Sequence, residues 1–422
     1  MKEIKYLILG AGISGLTVAN YLKNDYLILE KENEIGGYCR TIREGEFVWD
    51  YAGHFFHFKT EEFRKFFLDE VAEDDIIYNE KCTKINYKNS LIDYPFQTNI
   101  HQLEKQEFID CLYDLFNKEE KDNYDNFLDM LYGKFGKSIT EKFLKPYNEK
   151  LYAVDLTQLD KDAMGRFFPY ANIKQIIDNM KKEQDSSYNN KFLYPRNGAG
   201  SFMEILYNKL DKEKVLLNTK VVKIDEDKKI VTTDSGEQYK YEYLINSVPL
   251  NQFLPLFENN EYDKLVSEMS YNKVLVFNLG FNKKSPYTKE HWLYIPEKEY
   301  NYYRIGFYDN ILGTDKLSMY IEIGYNKDEE ISQEEIDKQL RLTIENLRKQ
   351  GIVTNDMELV AHSTILMNPA YVHITTKTNN DVAKLKEKFA GNNIYTIGRY
   401  GGWTYNCMED CMLEAKEVAG KI

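Results

Sequence analysis

The 422-residue sequence predicts an α/β fold. Two short apolar runs, residues 6–9 and 26–29, are typical of strands buried on both faces, and residues 16–22 between them have a helical pattern. Further strand and helix patterns follow, and a β-rich section begins at residue 274 and ends at residue 367. Because the chain is longer than one ordinary core requires, we expect two or three lobes.

The turn after the first apolar run has the features of a dinucleotide-binding unit. Gly10 permits a tight turn, Gly12 lets the backbone approach a pyrophosphate, and Gly15 allows the helix to pack closely on the sheet. The helix N-terminus offers free N–H groups to phosphate, and Glu30, after the second run, is placed to accept hydrogen bonds from ribose hydroxyls. A glycine triplet alone is weak evidence, since glycine-rich turns are common. Strand, helix and acid in the right order favour the dinucleotide interpretation.

The segment that follows Glu30 indicates which dinucleotide binds. Residues 30–41 resemble the double-glycine extension of flavoproteins that have two dinucleotide-binding domains. In those proteins the second glycine pair, here Gly36 and Gly37, lies along FAD, and a nearby arginine, here Arg40, faces the phosphates or the flavin. The alternative is a glycine turn that leads into a hairpin, with Arg40 solvated. The extension favours FAD, because a simple nicotinamide dehydrogenase has no use for it.

Composition excludes several classes of function. The net charge of −13 argues against general nucleic-acid binding and against anionic membrane surfaces. Five scattered cysteines, with no C-x-x-C pair, suit free thiols in a reducing cytoplasm, and the spacing of Cys407 and Cys411 gives no metal site. The chain enters its first strand at once and has no apolar run of membrane-spanning length. We therefore expect a cytoplasmic protein without a metal.

We expect three lobes. The sequence predicts a Rossmann-type FAD-binding domain from residues 1–95, 192–250 and 378–422, an α-helical insert lobe of residues 96–191, and an antiparallel β-sheet substrate domain of residues 251–377. Val221 lies in a strand that resembles the one whose valine backs the FAD adenine. Residues 181–191 are polar and have the pattern of a loop.

Five further motifs resemble the UDP-galactopyranose mutase family, and its eukaryotic-type branch more than its bacterial one. The resemblance runs nearly end to end, in the same order. The motifs are the histidine loop at 50–57, Tyr-Pro-Phe-Gln at 94–97, the Pro-Tyr-Asn segment at 145–154, Trp-Leu-Tyr at 292–294 followed by Tyr-Arg at 303–304, and the flavin loop at 398–405. The glycine motif alone would admit any amine-oxidase-like flavoprotein; the last two motifs are more selective.

The resemblance implies a reaction and a set of residues. The family interconverts the pyranose and furanose forms of a UDP-linked sugar, for surface-glycan synthesis, by attack of reduced FAD N5 on the anomeric carbon. The resemblance implies that Arg196 and Arg304 form a phosphate clamp, that Arg399 lies beside the flavin, and that His54 lies near N5. The implied substrate-binding residues are Gln97, Asn148, Tyr152, Arg196, Tyr294, Arg304, Tyr371 and Tyr405. The cofactor-binding residues predicted from both resemblances are Gly10, Gly12, Ile13, Ser14, Gly15, Glu30, Lys31, Gly37, Tyr38, Arg40, Gly53, His54, Val221, Gly398, Arg399, Tyr405 and Met408.

Alternatives remain for the residues and for the reaction. Arg304 could form a cross-strand salt bridge, Arg196 could be a surface residue before a helix, and the tyrosines could pack in sheets. Departures from the family pattern, at Ala52, Tyr152, Val372 and residues 406–410, leave the sugar open. The rival enzyme is an amine-oxidase-like or protoporphyrinogen-oxidase-like oxidoreductase. A third alternative is a catalytically silent protein that binds a sugar nucleotide. NAD(P)H is a candidate reductant, and a homo-oligomer is compatible with the sequence.

Overall fold

The computed structural model describes residues 1–181, 191–258 and 260–422. Most of the segment 181–191, for which the sequence predicts a loop, lies outside the described residues. The described chain mixes helices with two large sheets, so the predicted α/β fold class is confirmed.

The strands of the described chain form two large sheets and two small ones. In chain order they are β1 (Lys2–Leu9), β2 (Tyr26–Leu29), β3 (Thr41–Glu44), β4 (Phe47–Asp50), β5 (Ile76–Glu80), β6 (Thr83–Tyr87), β7 (Ser90–Asp93), β8 (Lys191–Pro195), β9 (Val215–Leu216), β10 (Val221–Asp225), β11 (Ile230–Thr233), β12 (Gln238–Asn246), β13 (Asn272–Phe281), β14 (Trp292–Tyr294), β15 (Arg304–Phe307), β16 (Ser318–Asn326), β17 (Leu359–Met367) and β18 (Ile394–Thr396).

The helices surround these sheets, and four of them, together with short turns, make up most of the helical lobe. In chain order the helices are α1 (Ile13–Leu22), α2 (Glu61–Leu68), α3 (Lys105–Phe116), α4 (Phe127–Ile139), α5 (Lys145–Tyr152), α6 (Ile173–Lys181), α7 (Gly200–Asn208), α8 (Leu250–Phe253), α9 (Asp263–Glu268), α10 (Tyr308–Leu312), α11 (Gln333–Lys349), α12 (Thr376–Gly391), α13 (Gly398–Gly401) and α14 (Met408–Ala419).

The first large sheet carries the glycine turn. Its strand order is β10-β11-β12-β1-β2-β9, and β18 also pairs with β12. The central strands β12, β1 and β2 run parallel, and both apolar runs of the sequence are therefore buried on both faces. Leu7, Ile8 and Ile28 have no exposed surface, and each such side chain contributes roughly 1.5–3 kcal/mol of burial. The carboxyl ends of β1 and β2 meet at one edge, which is where α1 begins.

The second large sheet forms the opposite wall of the site. Its strand order is β17-β13-β16-β15-β14-β6-β7, and its neighbouring strands are antiparallel except for the parallel pair β14 and β6. The sequence assigns residues 1–95 to the FAD-binding domain, but the hairpin of β6 and β7 joins this second sheet. The difference arises because the short strand β14 leaves a free edge, with which β6 pairs through non-local hydrogen bonds that no local pattern encodes.

Within the described ranges 1–181, 191–258 and 260–422, no helix is long and apolar enough to cross a membrane.

Candidate functional site

The glycine turn between β1 and α1 has the geometry that phosphate binding requires. Gly10 has φ +93°, which favours glycine, and a Cβ built on Gly15 would lie 2.0 Å from the carbonyl oxygen of Gly10. A Cβ built on Gly12, in contrast, would meet no described atom within 4 Å. No side chain in the described part of the chain caps the N-terminus of α1, and its first turn has no acidic residue. These N–H groups therefore face open space that an anion can occupy.

Glu30 and the second glycine pair complete this turn. The buried Glu30 carboxylate accepts hydrogen bonds from the backbone N–H groups of Ala11 at 2.7 Å and Glu32 at 2.9 Å. The N–H of Gly36 donates to the carbonyl of Ala11 at 2.8 Å, and a Cβ on Gly37 would lie 3.4 Å from the Cα of Gly12. The extension is thus held against the glycine turn. The uncapped N–H groups of α1 fit the diphosphate of FAD, and the Glu30 carboxylate is the acceptor that a ribose hydroxyl requires.

A cavity of about 310 Å³, which we call cavity A, begins at the N-terminus of α1. Gly398, with φ +82°, does not line the cavity, but it lets its loop pack against the first turn of α1, because a Cβ there would lie 2.2 Å from Ser14 Oγ. The cavity places segments that are far apart in sequence around one space. Its lining includes ten of the predicted residues, namely Ile13, Ser14, Tyr38, Gly53, His54, Arg304, Tyr371, Arg399, Tyr405 and Met408.

His54 is the histidine that the loop after β4 brings to cavity A. Its Nδ1 lies 2.8 Å from the carbonyl oxygen of Ala52, so Nδ1 carries the proton and donates, and Nε2 is left as an acceptor. The pKa of His54 is lowered to about 4, mainly by burial and to a lesser degree by the positive charges of Arg399 and Arg304, while the bond to Ala52 acts in the opposite direction. His54 is therefore a neutral imidazole at physiological pH. Gly53 fits beside it because a Cβ there would lie 2.2 Å from the hydroxyl of Tyr320.

Asp50, at the end of β4, fixes the start of the histidine loop. Its buried carboxylate accepts hydrogen bonds from Thr41 Oγ1 at 2.7 Å, Tyr194 Oη at 2.8 Å and the backbone N–H of Ala199 at 3.0 Å. Burial raises the pKa of Asp50 to about 7, although these three donors act in the opposite direction. The residue ties the glycine turn before α7 to the strand that leads to His54.

A second cavity, cavity B, has a volume of about 580 Å³ and lies between the helical lobe and the second sheet. Arg304, Tyr371 and Tyr405 line both cavities, so the two spaces meet at these side chains. Cavity B is rich in aromatic rings and is lined by more than one cation. The aromatic and cationic residues of its lining include Lys81, Tyr94, Tyr147, Arg166, Tyr294, Arg304, Tyr371 and Tyr405.

Arg304 stands at the junction of the two cavities and is paired across the strands β15 and β16. One of its terminal nitrogens donates to both oxygens of the Glu322 carboxylate, at 2.7 and 2.6 Å, and to the hydroxyl of Tyr371 at 3.2 Å. Burial alone would lower the pKa of Arg304, but the negative charge of Glu322 raises it well above its ordinary value. The alternative of a cross-strand salt bridge is confirmed, although it does not lie on a solvated face: Glu322 is buried and the Arg304 side chain is 21% exposed.

Arg399 provides a second, partly buried guanidinium in cavity A. Its Nη1 donates to the carbonyl of Asn406 at 3.0 Å, and the guanidinium lies 4.4 Å from the ring centroid of Tyr405 and 5.2 Å from that of Tyr371. Burial opposes its charge, yet the neighbouring tyrosines raise the pKa of Arg399, so it stays cationic. Arg399 therefore lines cavity A beside the shared tyrosines, and its contact with the flavin stays a prediction.

Arg196 is not where the sequence analysis places it. Its side chain is exposed and lines neither cavity; Nε donates to the carbonyl of Asp74 at 2.8 Å. Arg196 directly follows β8, and its backbone N–H donates to the carbonyl of Asp75 at the start of β5. The alternative of a surface residue before a helix is therefore correct, and the predicted pair of Arg196 with Arg304 is wrong.

Gln97, Asn148 and Tyr152 are buried in the protein and line neither cavity. The side-chain amide of Gln97 donates to the carbonyl of Pro169, and that of Asn148 donates at 2.6 Å to the carbonyl of Leu144 one helical turn earlier. Both side-chain amides thus donate to backbone within the protein and line neither cavity, so the prediction that the two residues line the substrate cleft is wrong. Tyr152 has its ring 6.0 Å from that of Tyr371, behind the cavity wall.

Nine predicted cofactor residues lie outside the lining of cavity A: Gly10, Gly12, Gly15, Glu30, Gly37 and Gly398, which shape the turns described above, and Lys31, Arg40 and Val221. Lys31 is exposed and lies 3.6 Å from Glu32. Arg40 donates to the carbonyls of Glu34 and Ile35, so it holds the double-glycine extension in shape rather than facing the cavity directly. Val221 begins β10, near the point where the N–H of Thr219 donates to the carbonyl of Glu30 at 2.8 Å; the two segments therefore adjoin, as an adenine-backing position requires.

Other cavity residues were missed, although their neighbours in sequence were noted. Tyr94 and Tyr147 line cavity B, and each contacts the ring of Tyr294 at a centroid distance of 5.0 Å. Tyr94 and Tyr147 belong to the motifs at 94–97 and 145–154, for which Gln97 and Asn148 are the predicted substrate-binding residues. Arg166, in the 3₁₀ turn Gly165–Phe167, lines cavity B, whereas Arg196 does not. In the sequence, the Gly-Arg-Phe-Phe run at 165–168 indicates an arginine in a glycine turn beside aromatic residues, and this pattern could have predicted the position.

Comparisons with known proteins agree with this geometry. The family model for flavin containing amine oxidoreductases matches residues 13–422. A protoporphyrinogen oxidase of Dictyostelium discoideum is 27% identical over 165 residues, which is 37% of this chain but only 29% of that protein. Among solved structures, that of a reduced UDP-galactopyranose mutase superposes with a TM-score of 0.90 at 23% identity, covering 99% of this chain and 93% of the other. An Exiguobacterium sp. 255-15 protein assigned as a protoporphyrinogen oxidase gives 0.74 at 17% identity, covering 100% and 98%.

The matched family spans nearly the whole chain, and the cavity at the N-terminus of α1 fits the cofactor that the family carries. The chain therefore belongs to the flavin containing amine oxidoreductase family, as an FAD-dependent flavoprotein with the fold of UDP-galactopyranose mutase.

Proposed function

We propose that the protein is a flavin-dependent mutase that interconverts the pyranose and furanose forms of a UDP-linked sugar. One observation carries the proposal: the flavin cavity and the tyrosine-lined cavity B meet at Arg304, Tyr371 and Tyr405. A sugar at this junction would have the flavin on one side and room for a nucleoside diphosphate on the other. The substrate would thus be held by its phosphates beside the reacting carbon.

The cations are suited to a diphosphate that leaves and returns. Arg304 and Arg399 lie at the flavin end of the site, and Arg166 and Lys81 line cavity B. A guanidinium binds phosphate through two parallel hydrogen bonds and does not lose its proton, so it can hold the departed dianion in place. Arg166 takes the position in the proposed clamp that the sequence analysis gave to Arg196.

Bound reduced flavin would supply the nucleophile for the anomeric carbon, without net redox change. The protein residues would bind and orient the sugar around it. The hydroxyls of Tyr294, Tyr371 and Tyr405 can donate to sugar and phosphate oxygens, and their rings keep water out of the junction. Neutral His54 would leave Nε2 as an acceptor in cavity A, so it can hold a donor group without adding charge.

The likeness to the mutase structure supports this reaction over others of the family. That superposition covers almost all of both chains, and its TM-score is higher than that of the Exiguobacterium structure. A second candidate is a protoporphyrinogen-oxidase-like or amine-oxidase-like oxidoreductase. The partial identity to the Dictyostelium protein and the Exiguobacterium structure favour that candidate. Against it stands the array of arginine and tyrosine in the cavity, whereas an oxidase of amines needs an apolar or amine-recognising cleft.

The test is to incubate the purified yellow protein with UDP-galactopyranose, with dithionite and in air, and to separate the sugar nucleotides by chromatography. The mutase proposal predicts a furanose product only when the flavin is reduced, with no peroxide. Oxygen consumption with porphyrinogen or an amine, and no furanose from UDP-galactopyranose, would instead support the oxidoreductase.

A further inference from the structure

Arg166, a cation that lines cavity B from a turn of the helical lobe, is already bound to a carboxylate. Among the described residues, Arg166 lies between cavity B and a neighbouring space of about 580 Å³, which we call cavity C. Its guanidinium donates to Asp410 Oδ2 and lies 3.8 Å from the sulfur of Cys407. Asp410 lines cavity C but not cavity B. The ion pair therefore spans the boundary between the two spaces.

Of the two partners, the carboxylate is the fixed one. Asp410 lies in the first turn of α14, and its Oδ2 also accepts a hydrogen bond from the backbone N–H of Cys407 at 3.0 Å. The Asp410 side chain is 16% exposed, whereas that of Arg166 is 45% exposed. The pKa of Asp410 is lowered: burial alone would raise it, but the bonds from Cys407 and Arg166 outweigh that effect. An ionised, largely buried carboxylate thus holds a more exposed arginine.

The same arginine is connected to the substrate junction. The Arg166 guanidinium lies 4.9 Å from the ring centroid of Phe167, and that ring contacts Tyr405 at 5.1 Å. A rotation of the Arg166 side chain about its own bonds would keep it on the wall of cavity B while releasing Asp410. Carboxylate and phosphate compete for the same donors of a guanidinium, because both accept paired N–H bonds.

We propose that Asp410 is a built-in competitor for the substrate's phosphates, holding Arg166 until a nucleoside diphosphate takes its place. Asp410 thereby sets how tightly the diphosphate binds and how readily it leaves. This inference rests on the proposed function, and it adds a residue that contacts the clamp rather than the substrate. Asp410 is a positioning residue, whose removal strengthens ligand binding instead of weakening it.

The experiment is calorimetric titration of UDP into the oxidised holoenzyme. An ion pair as exposed as this one is worth up to about 1 kcal/mol, so Asp410→Asn is expected to lower the Kd for UDP about two- to fivefold. Asp410→Glu, which keeps the charge, should leave the Kd near the wild-type value. The double variant Arg166→Ala/Asp410→Asn should bind UDP no more tightly than Arg166→Ala, because the competition requires the arginine. Flavin absorbance and thermal unfolding establish that each variant is folded.

Glu417→Gln is the matched control. Glu417 also lines cavity C, but its carboxylate pairs with Lys421 rather than with Arg166. The control removes the same unit of negative charge and should leave the Kd unchanged. Equal tightening in Glu417→Gln or in the Arg166→Ala background would overturn the inference, and so would an unchanged or higher Kd in Asp410→Asn. Failure of the wild-type enzyme to bind UDP would instead overturn the proposed function itself.

Discussion

Replacement of Arg304 by alanine tests the junction of the two cavities. In the structure this guanidinium donates to Glu322 and to Tyr371, beside the part of cavity B in which the diphosphate is proposed to lie. Loss of a charged partner from a desolvated site typically costs about 2–5 kcal/mol of binding. The corresponding rise in the Kd for UDP is roughly 30-fold to several thousand-fold. FAD should remain bound, because the glycine turn of α1 is untouched.

We expect a rise in the Kd for UDP in the upper part of this range, because Arg304→Ala leaves Glu322 without its partner. Glu322 is 1% exposed, and in Arg304→Ala its carboxylate would lose the cation that neutralises it. An uncompensated carboxylate near the junction repels phosphate, so the variant loses attraction and gains repulsion. The double variant Arg304→Ala/Glu322→Gln removes that repulsion, and it should recover part of the affinity that the single variant loses.

The assay is calorimetric titration of UDP into oxidised enzyme, with the ratio of flavin to protein absorbance as the check on folding. Arg196→Ala is the matched control, since it removes an exposed arginine that lines neither cavity. UDP affinity should be unchanged in that control. The reasoning is refuted if Arg304→Ala binds UDP as tightly as the wild type, or if Arg196→Ala loses as much affinity as Arg304→Ala.

Three further predictions follow from the site. Gly12→Ala should fold normally but lose flavin colour, because the new Cβ would occupy the open space that the cofactor's phosphates need. Gly15→Ala should instead lower the thermal midpoint of unfolding, because its Cβ would lie 2.0 Å from the carbonyl oxygen of Gly10. Equal behaviour of the two variants would contradict this. The pKa of Asp50 is raised to about 7, so its stabilising protonated form is lost as pH rises. The free energy of unfolding should fall by up to about 1.4 kcal/mol per unit between about pH 4 and 7, and Asp50→Asn should show a shallower fall; an identical pH profile would exclude this role. His54, with a pKa of about 4, should show no NMR titration between pH 5 and 8, with His54→Gln used for assignment; a midpoint near 6.5 would disprove its neutrality.

The parts of the site that the sequence predicts well are those set by local backbone geometry. Gly10, Gly12 and Glu30 lie within one strand-turn-helix-strand unit, so their spacing alone places them together. Arg304 and Tyr294 also lie where expected, because they face each other in the register of β14 and β15. A short hairpin with a fixed register leaves little freedom for the side chains.

The errors concern side-chain direction and non-local pairing. Arg196 and Arg166 both stand in turns next to glycine, and no periodicity shows which of the two faces a cavity. Asn148 donates to a carbonyl of its own helix, a local bond that competes with any ligand. Gln97 bonds to Pro169, far along the chain, and the hairpin of β6 and β7 joins the second sheet for a similarly non-local reason. Such contacts depend on the assembled fold.

The central claim is that the flavin acts on the sugar as a nucleophile through N5, without net redox change. The most direct measurement is turnover of UDP-galactopyranose by enzyme reconstituted with reduced 5-deaza-FAD, in which carbon replaces N5, beside enzyme reconstituted with reduced FAD. The account predicts furanose product with FAD and none with 5-deaza-FAD, although both forms bind UDP equally. Equal turnover with the two cofactors would contradict it.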